Sequence, residues 1–337
     1  MRPSTDPAPR RFRRAPLVGR VAVGLVVGLL VAEAVARIAM SASDATEIEW
    51  YDAATQLKVE QIDALGGADV VIVGTSMAWQ DLDPAVLSGV GVDGVIYNAG
   101  LAGAIPTVTG PWLVDEVLPR LEPTTVVWGL SPLDFTASYG AEAEAAYDGA
   151  VATAPGWLGD LDRSSSQLSV LVRHRRLLRD PARLLASASD EGTLALAEAA
   201  PTLGPQGQRL DFTIDTAPRT GDVNRARMAT PGVDSADLAA LVAAVEALQA
   251  DGVTVVFVEL PVPPRFVAAI DDGERRLDEF RRLLAATADE LDVALLGPAD
   301  DLDEPLVDDD FVDFTHLDAA AIARFSRSTG RQLVDVE

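Results

Sequence analysis

The chain has 337 residues, is 48% hydrophobic, carries a formal net charge of -25 and contains no cysteine. That length holds one large domain or two small ones with a packed core. The acidic balance argues against a nucleic-acid binder, which must present clustered Lys and Arg to phosphates, and without cysteine there is no disulfide framework, thiolate nucleophile or thiolate metal site.

The N-terminal segment differs in kind from the rest. Residues 1–16 form a basic, Pro-containing stretch with Arg2, Arg10, Arg11, Arg13 and Arg14, and it runs into an apolar segment over residues 17–40 that reads as one transmembrane signal anchor. Val21 to Ala32 is an unbroken apolar or Gly run, shorter than the roughly 20 residues a bilayer span needs. A span therefore takes in Arg20 near one end and Glu33 and Arg37 near the other, where long side chains snorkel to the interface. The basic flank stays in the cytoplasm by the positive-inside rule. That makes the protein single-pass in the cell membrane, with everything after about Ser41 extracytoplasmic. A cleaved signal peptide stays open, because Ala34-Val35-Ala36 resembles a small-residue cleavage site, and so does a buried core helix.

Residues 41–67 are polar and helix-permissive and read as a stalk, and the folded domain spans residues 68–337. Short β-branched runs at 70–73, 95–97, 125–128, 253–258 and 293–296 are candidates for buried strands. Between them, 106–121, 235–250 and 274–290 repeat apolar residues at helical spacing. Strand alternating with helix predicts a mainly parallel sheet covered on both faces, an α/β fold built as a three-layer α/β/α sandwich. Residues 139–231 break the alternation. They are rich in Ala, Ser, Gly and Pro, carry the basic patch Arg173-His174-Arg175-Arg176, and read as an insertion, either a lid or binding wall or a surface elaboration.

The first strand candidate ends in Val73-Gly74-Thr75-Ser76. A hydrophobic strand that delivers a Gly and then a serine to the carboxyl edge of such a sheet puts the hydroxyl where these folds bind ligands. The plainer alternative is a serine that caps the following helix. No Gly-Lys-Ser or Gly-Lys-Thr follows, which excludes a Walker phosphate loop, and Ala78 stands where a Gly-x-Ser-x-Gly elbow needs glycine.

Near the other end, Asp313-Phe314-Thr315-His316 precedes a helix-like run. A serine hydroxyl needs a base to take its proton, and an imidazole oriented by a carboxylate is the usual solution. The chain has only two histidines. His174 stands among Arg173, Arg175, Arg176 and Arg179, which disfavour its protonation, so His316 is the better base. The Asp-rich run 300–310 lacks EF-hand spacing and its central Gly, and reads as a solvated loop. No metal or other cofactor is called for.

With these two motifs on the page, the chain resembles the SGNH (GDSL-like) hydrolase superfamily: a strand-terminal Gly-x-Ser at Gly74 to Ser76 near the domain start, and Asp-x-x-His at Asp313 to His316 near its end. Asn98-Ala99-Gly100 is similar to the family's second block. Gly129-Leu130-Ser131-Pro132-Leu133-Asp134 stands where the family has Gly-x-Asn-Asp, with Ser131 at the Asn position. The resemblance implies Ser76, Asp313 and His316 as catalytic triad, and an oxyanion hole from the amides of Ser76 and Gly100 with Ser131 in place of the usual Asn. It also implies a serine esterase or O-acyltransferase that uses an acyl donor and a cell-envelope or exported glycan, working beside a multi-span membrane acyltransferase. A non-catalytic glycan-binding or scaffold module of an envelope assembly complex is the alternative, and Ser131 is the feature that favours it.

Overall fold

The computed structural model describes residues 15–42, 46–136, 147, 165, 168–173, 202–210, 235–297, 302 and 304–336. His174 and most of the expected insertion lie outside the described residues.

Five strands form one sheet in the order β2-β1-β3-β4-β5, every neighbouring pair parallel. They are β1 (Val70–Val73), β2 (Ile96–Asn98), β3 (Thr125–Leu130), β4 (Thr254–Glu259) and β5 (Ala294–Leu296), each overlapping a β-branched run picked out in the sequence. All four residues of β1 and all six of β3 are buried, as a central parallel strand covered on both faces requires. Alternate residues serve opposite sides. Val71, Val73, Val126 and Trp128 join one hydrophobic cluster, and Val70, Ile72, Val127 and Val256 join another.

The first cluster is closed by α5 (Pro106–Pro111), a π-helical turn (Trp112–Val117), α6 (Leu118–Leu121), α8 (Ser235–Ala250) and α10 (Gly273–Leu291). The helix expected over 106–121 thus forms in three continuous pieces. Pro111 and Pro119 lack N–H donors, so the regular ladder widens between them. The second cluster is closed by α3 (Ser76–Asp81), α4 (Pro84–Gly89), α9 (Pro264–Ala268) and α11 (Ala319–Val336). The result is the expected three-layer α/β sandwich. After β1 the chain builds β2 on one side, then crosses to β3 on the other, and the crevice beyond the carboxyl ends of β1 and β3 is the topological switch point where such sheets take ligands.

Two N-terminal helices precede the sheet. Helix α1 (Ala15–Ala42) exposes Val23, Leu25, Leu29, Leu30 and Ile38. Glu33 accepts from the Val170 N–H at 3.0 Å, beginning α7 (Val170–Arg173). Among the described residues, no helix is long and apolar enough to cross a membrane. Helix α2 (Thr46–Leu65) covers the stretch read as a stalk, yet its second half is part of the packed body. Ala54, Thr55, Lys58 and Ile62 are buried, and Ile62 joins the first core cluster. The Lys58 Nζ donates to the carbonyls of Asn98 (2.6 Å) and Gly207 (2.8 Å) and lies 4.8 Å from the Trp79 ring centre. Burial pushes its pKa down. The polar, helix-permissive sequence read as a stalk gives no local sign that a lysine will be enclosed by two carbonyls and an aromatic face.

Candidate active site

Gly74 follows the last residue of β1 with φ +136, in the region that side chains rarely adopt. A Cβ there would stand 2.4 Å from the Gly129 carbonyl oxygen and 2.8 Å from the Ala78 Cβ. Glycine therefore permits both the turn and the close approach of the β1 and β3 ends. Thr75 is extended, and Ser76 opens α3, so its N–H precedes the helical ladder. The Ser76 side chain is half-buried at the switch point.

The opposing loop is wound by its own aspartate. Asp313 Oδ1 accepts from the N–H groups of Thr315 and His316, both at 2.8 Å, in the local turn that Asp favours. Phe311 bridges Leu317, and the Val312 N–H donates to the His316 carbonyl at 2.9 Å. This leaves Asp313 Oδ2 facing His316 Nδ1 at 2.8 Å, while the other ring nitrogen, Nε2, lies 2.8 Å from Ser76 Oγ. With the Nδ1 proton donated to the carboxylate, Nε2 is the lone-pair nitrogen toward the serine hydroxyl. The structure thus brings together the three residues singled out at opposite ends of the sequence.

Asp313 is 1% exposed and His316 7%. Burial by itself raises the Asp313 pKa. The electrostatic pull of His316, its ring hydrogen bond and the two backbone N–H donors outweigh it and hold the carboxyl at about 2. Asp313 is therefore a fixed anion at neutral pH. It can stabilise an imidazolium as it forms, and His316 can accept the Ser76 proton as the oxygen attacks an electrophilic carbonyl.

Two residues that sequence reading passed over fasten the halves of this site. The Leu317 N–H donates to Asp81 Oδ1 at 3.2 Å, and the Leu317 carbonyl accepts from Gln80 Nε2 at 3.1 Å. Gln80 and Asp81 close the helix that Ser76 opens, so both backbone groups of the residue after His316 are held by the nucleophile's own helix. Burial, followed by repulsion from Asp313, pushes the Asp81 pKa up against the opposing Leu317 hydrogen bond. Asn98, which the sequence reading placed in the second resembling block, adds a third tie: its amide donates to the carbonyls of Ala78 (2.9 Å), Trp79 (3.2 Å) and Leu82 (2.9 Å), satisfying the end of α3.

The Gly100 amide differs from expectation. It donates to Asn98 Oδ1 at 2.9 Å and is engaged inside the protein. A Cβ at Gly100 would lie 2.9 Å from the Trp79 nitrogen, so glycine here serves the close packing of loop on helix. Ser131 follows the last residue of β3, whose Trp128 pairs with Val73 at the end of β1. It is fully buried, and its N–H donates to Asp134 Oδ2 at 2.6 Å. Burial pushes the Asp134 pKa up to about 7 against hydrogen bonds from Ser131 and Thr75. The acidic run also departs from a merely solvated loop: Asp308 Oδ1 accepts from the Arg265 N–H, and Asp310 pairs with Arg324 at 2.5 Å.

No protein-family model matches the chain, and no curated protein matches its sequence. Among the solved structures whose course overlaps that of this chain are two of note. One is a protein of Bacteroides fragilis NCTC 9343 described as an acylhydrolase, at 12% identity over 83% of this chain and 96% of the other, with a TM-score of 0.41. The other is TesA, at 15% identity over 80% and 99%, with a TM-score of 0.37. An overlap this loose carries no weight on activity, and the chemistry stands on the side chains above.

Proposed function

We propose that this chain is a serine-dependent acyl esterase or O-acyltransferase. The observation that carries the reading is the relay from Ser76 Oγ through His316 to Asp313, closed at 2.8 Å on each side of the ring. His316 takes the Ser76 proton while the oxygen attacks an ester carbonyl. The tetrahedral oxyanion is met by the Ser76 N–H at the start of α3, and its collapse expels the alcohol with the proton returned from His316. The acyl-enzyme then passes to water or to a sugar hydroxyl activated by the same imidazole.

The setting we propose is the outer face of the cell membrane, with a cell-envelope or exported glycan as substrate and with residues 17–40 as the anchor, a stretch that takes in Arg20, Glu33 and Arg37 and so falls short of a fully apolar crossing helix. Supporting it are the basic flank before α1, the exposed aliphatic side chains along it, and the resemblance to envelope-modifying members of the SGNH superfamily. A multi-span acyltransferase as partner belongs to the same reading. The scaffold alternative draws on Ser131 at the usual Asn position and on the Gly100 amide already bonded to Asn98, which together leave an oxyanion fewer donors.

The deciding experiment is fluorophosphonate labelling of the full-length protein in detergent. Labelling that is lost in Ser76→Ala and His316→Ala supports the esterase class. Folded wild type that stays unlabelled beside a labelled serine esterase favours the scaffold. Release of acetate from acetylated glycans, against transfer to added sugar, separates hydrolysis from transfer.

A further inference from the structure

Helix α9 begins just beyond the carboxyl end of β4, on the same sheet edge as Ser76. Its second residue, Arg265, reaches into the loop that carries the acid and the base. Arg265 Nη1 donates to the Asp308 carbonyl at 2.6 Å, and Nη2 donates to the carbonyls of Phe311 (3.2 Å) and Asp313 (2.5 Å). The next residue, Phe266, meets the Phe314 ring edge-on at 6.0 Å between centres. Consecutive residues of one short helix therefore hold the backbone at Asp313 and the side chain at Phe314.

The other ties on this loop lie elsewhere. The Phe311 to Leu317 bridge, the Val312 N–H to His316 carbonyl bond and the Asp318 N–H to Asp310 carbonyl bond join the two arms of the turn. None of them takes the carbonyl of Asp313. The three carbonyls are shared between Nη1 and Nη2, a spread that a planar guanidinium fork spans in one fixed plane, whereas a lysine ammonium offers its three donors from a single atom.

We infer that Arg265 is a positioning residue for the acid and base, its guanidinium fixing the Asp313 peptide so that carboxylate, imidazole and Ser76 hydroxyl stay in line. The inference rests on the esterase reading for its kinetic consequence. Nothing in it requires Arg265 to touch substrate. A displacement of about 1 Å in such an array can lower the rate by roughly 10²-fold, so the loss should fall on the chemical step and leave binding unchanged.

The test compares full-length wild type, Arg265→Lys and Arg265→Ala by the rate of fluorophosphonate inactivation, resolved into its maximal rate and half-saturating concentration. We expect the maximal rate to fall by roughly 10²-fold in Arg265→Ala and about tenfold in Arg265→Lys, with half-saturation unchanged. Millimolar methylguanidinium should restore part of the Arg265→Ala rate, and methylammonium should not. A folded Arg265→Lys or Arg265→Ala protein that reacts at the wild-type rate overturns the inference, as does a loss confined to half-saturation. If wild type itself does not react, the esterase reading fails. Amide hydrogen exchange over residues 311–317 then decides positioning: faster exchange in Arg265→Lys supports it and unchanged exchange overturns it.

Discussion

Ser76 Oγ and His316 Nε2 stand 2.8 Å apart although 240 residues separate them. One residue follows the first strand and the other precedes the last helix, so the contact exists only when the whole sheet is assembled. Replacing either should remove the reaction while leaving the fold. We expect Ser76→Ala and His316→Ala each to lower the inactivation or ester-cleavage rate by about 10⁴-fold or more, with thermal midpoints near wild type. Equal rates in mutant and wild type would mean the contact is incidental.

Asp313→Asn keeps the shape of the loop but offers His316 Nδ1 no anion, and an amide nitrogen turned toward the ring favours the wrong tautomer. A rate loss of about 10⁴-fold is expected at neutral pH. The same carboxyl couples stability to acid. Its folded pKa, about 2, lies below the ordinary 3.8, so its contribution is present above pH 4 and is lost as pH falls toward 2. Urea titrations of wild type should lose on the order of 2 kcal/mol more than Asp313→Asn across that interval.

Gly74→Ala should disturb the site and the fold together. The new methyl group meets the Gly129 carbonyl oxygen at 2.4 Å on a backbone with φ +136. Either β1 and β3 separate at their carboxyl ends or the turn into α3 rotates. A cost of at least about 2 kcal/mol is expected by denaturant unfolding, with reduced labelling of Ser76 in the fraction that stays folded.

The sheet was legible because its strands are β-branched runs buried on both faces, and burial leaves little freedom in composition. Ser76, Asp313 and His316 stood out because a strand end and a short loop carry the residue types a serine relay would use, and the structure adds that they meet. Asp81 and Gln80 did not, and Asn98 stood out only as part of a resembling block. Each binds backbone groups of a distant segment, and backbone groups carry no sequence signature. The same holds for Lys58, whose burial depends on carbonyls from β2 and from Gly207. Gly100 misled for a related reason: a glycine in a resembling block can serve close packing, and only the Asn98 contact reveals which role it has.

Asp81 offers a separable test of how α3 holds the base. Asp81→Ala leaves the buried Leu317 N–H without its acceptor, which should cost about 1–3 kcal/mol and lower the reaction rate by freeing His316. Asp81→Asn retains an acceptor oxygen and matches the neutral form that burial favours. It should stay close to wild type in both respects. If the Asn variant were as impaired as the Ala variant, a charged Asp81 would be required and the gripping role would be wrong.

Asp134 should reverse the pH dependence seen at Asp313. Burial raises its folded pKa to about 7 from an ordinary 3.8, so between those values the folded state holds a proton that the unfolded chain has released. Stability from this group is therefore complete below about pH 4, falls as pH rises, and is fully lost above about pH 7. Asp134→Asn still offers an oxygen to the Ser131 N–H but carries no titrating proton. At pH 3.5 the variant and wild type should be close. At pH 8 the variant should be the more stable by up to about 4 kcal/mol, an upper figure that relaxation around the carboxylate will reduce. Paired urea unfolding curves at the two pH values measure this. A variant destabilised equally at both would show that the carboxylate is stabilised in place, and that its contacts with Ser131 and Thr75 outweigh burial.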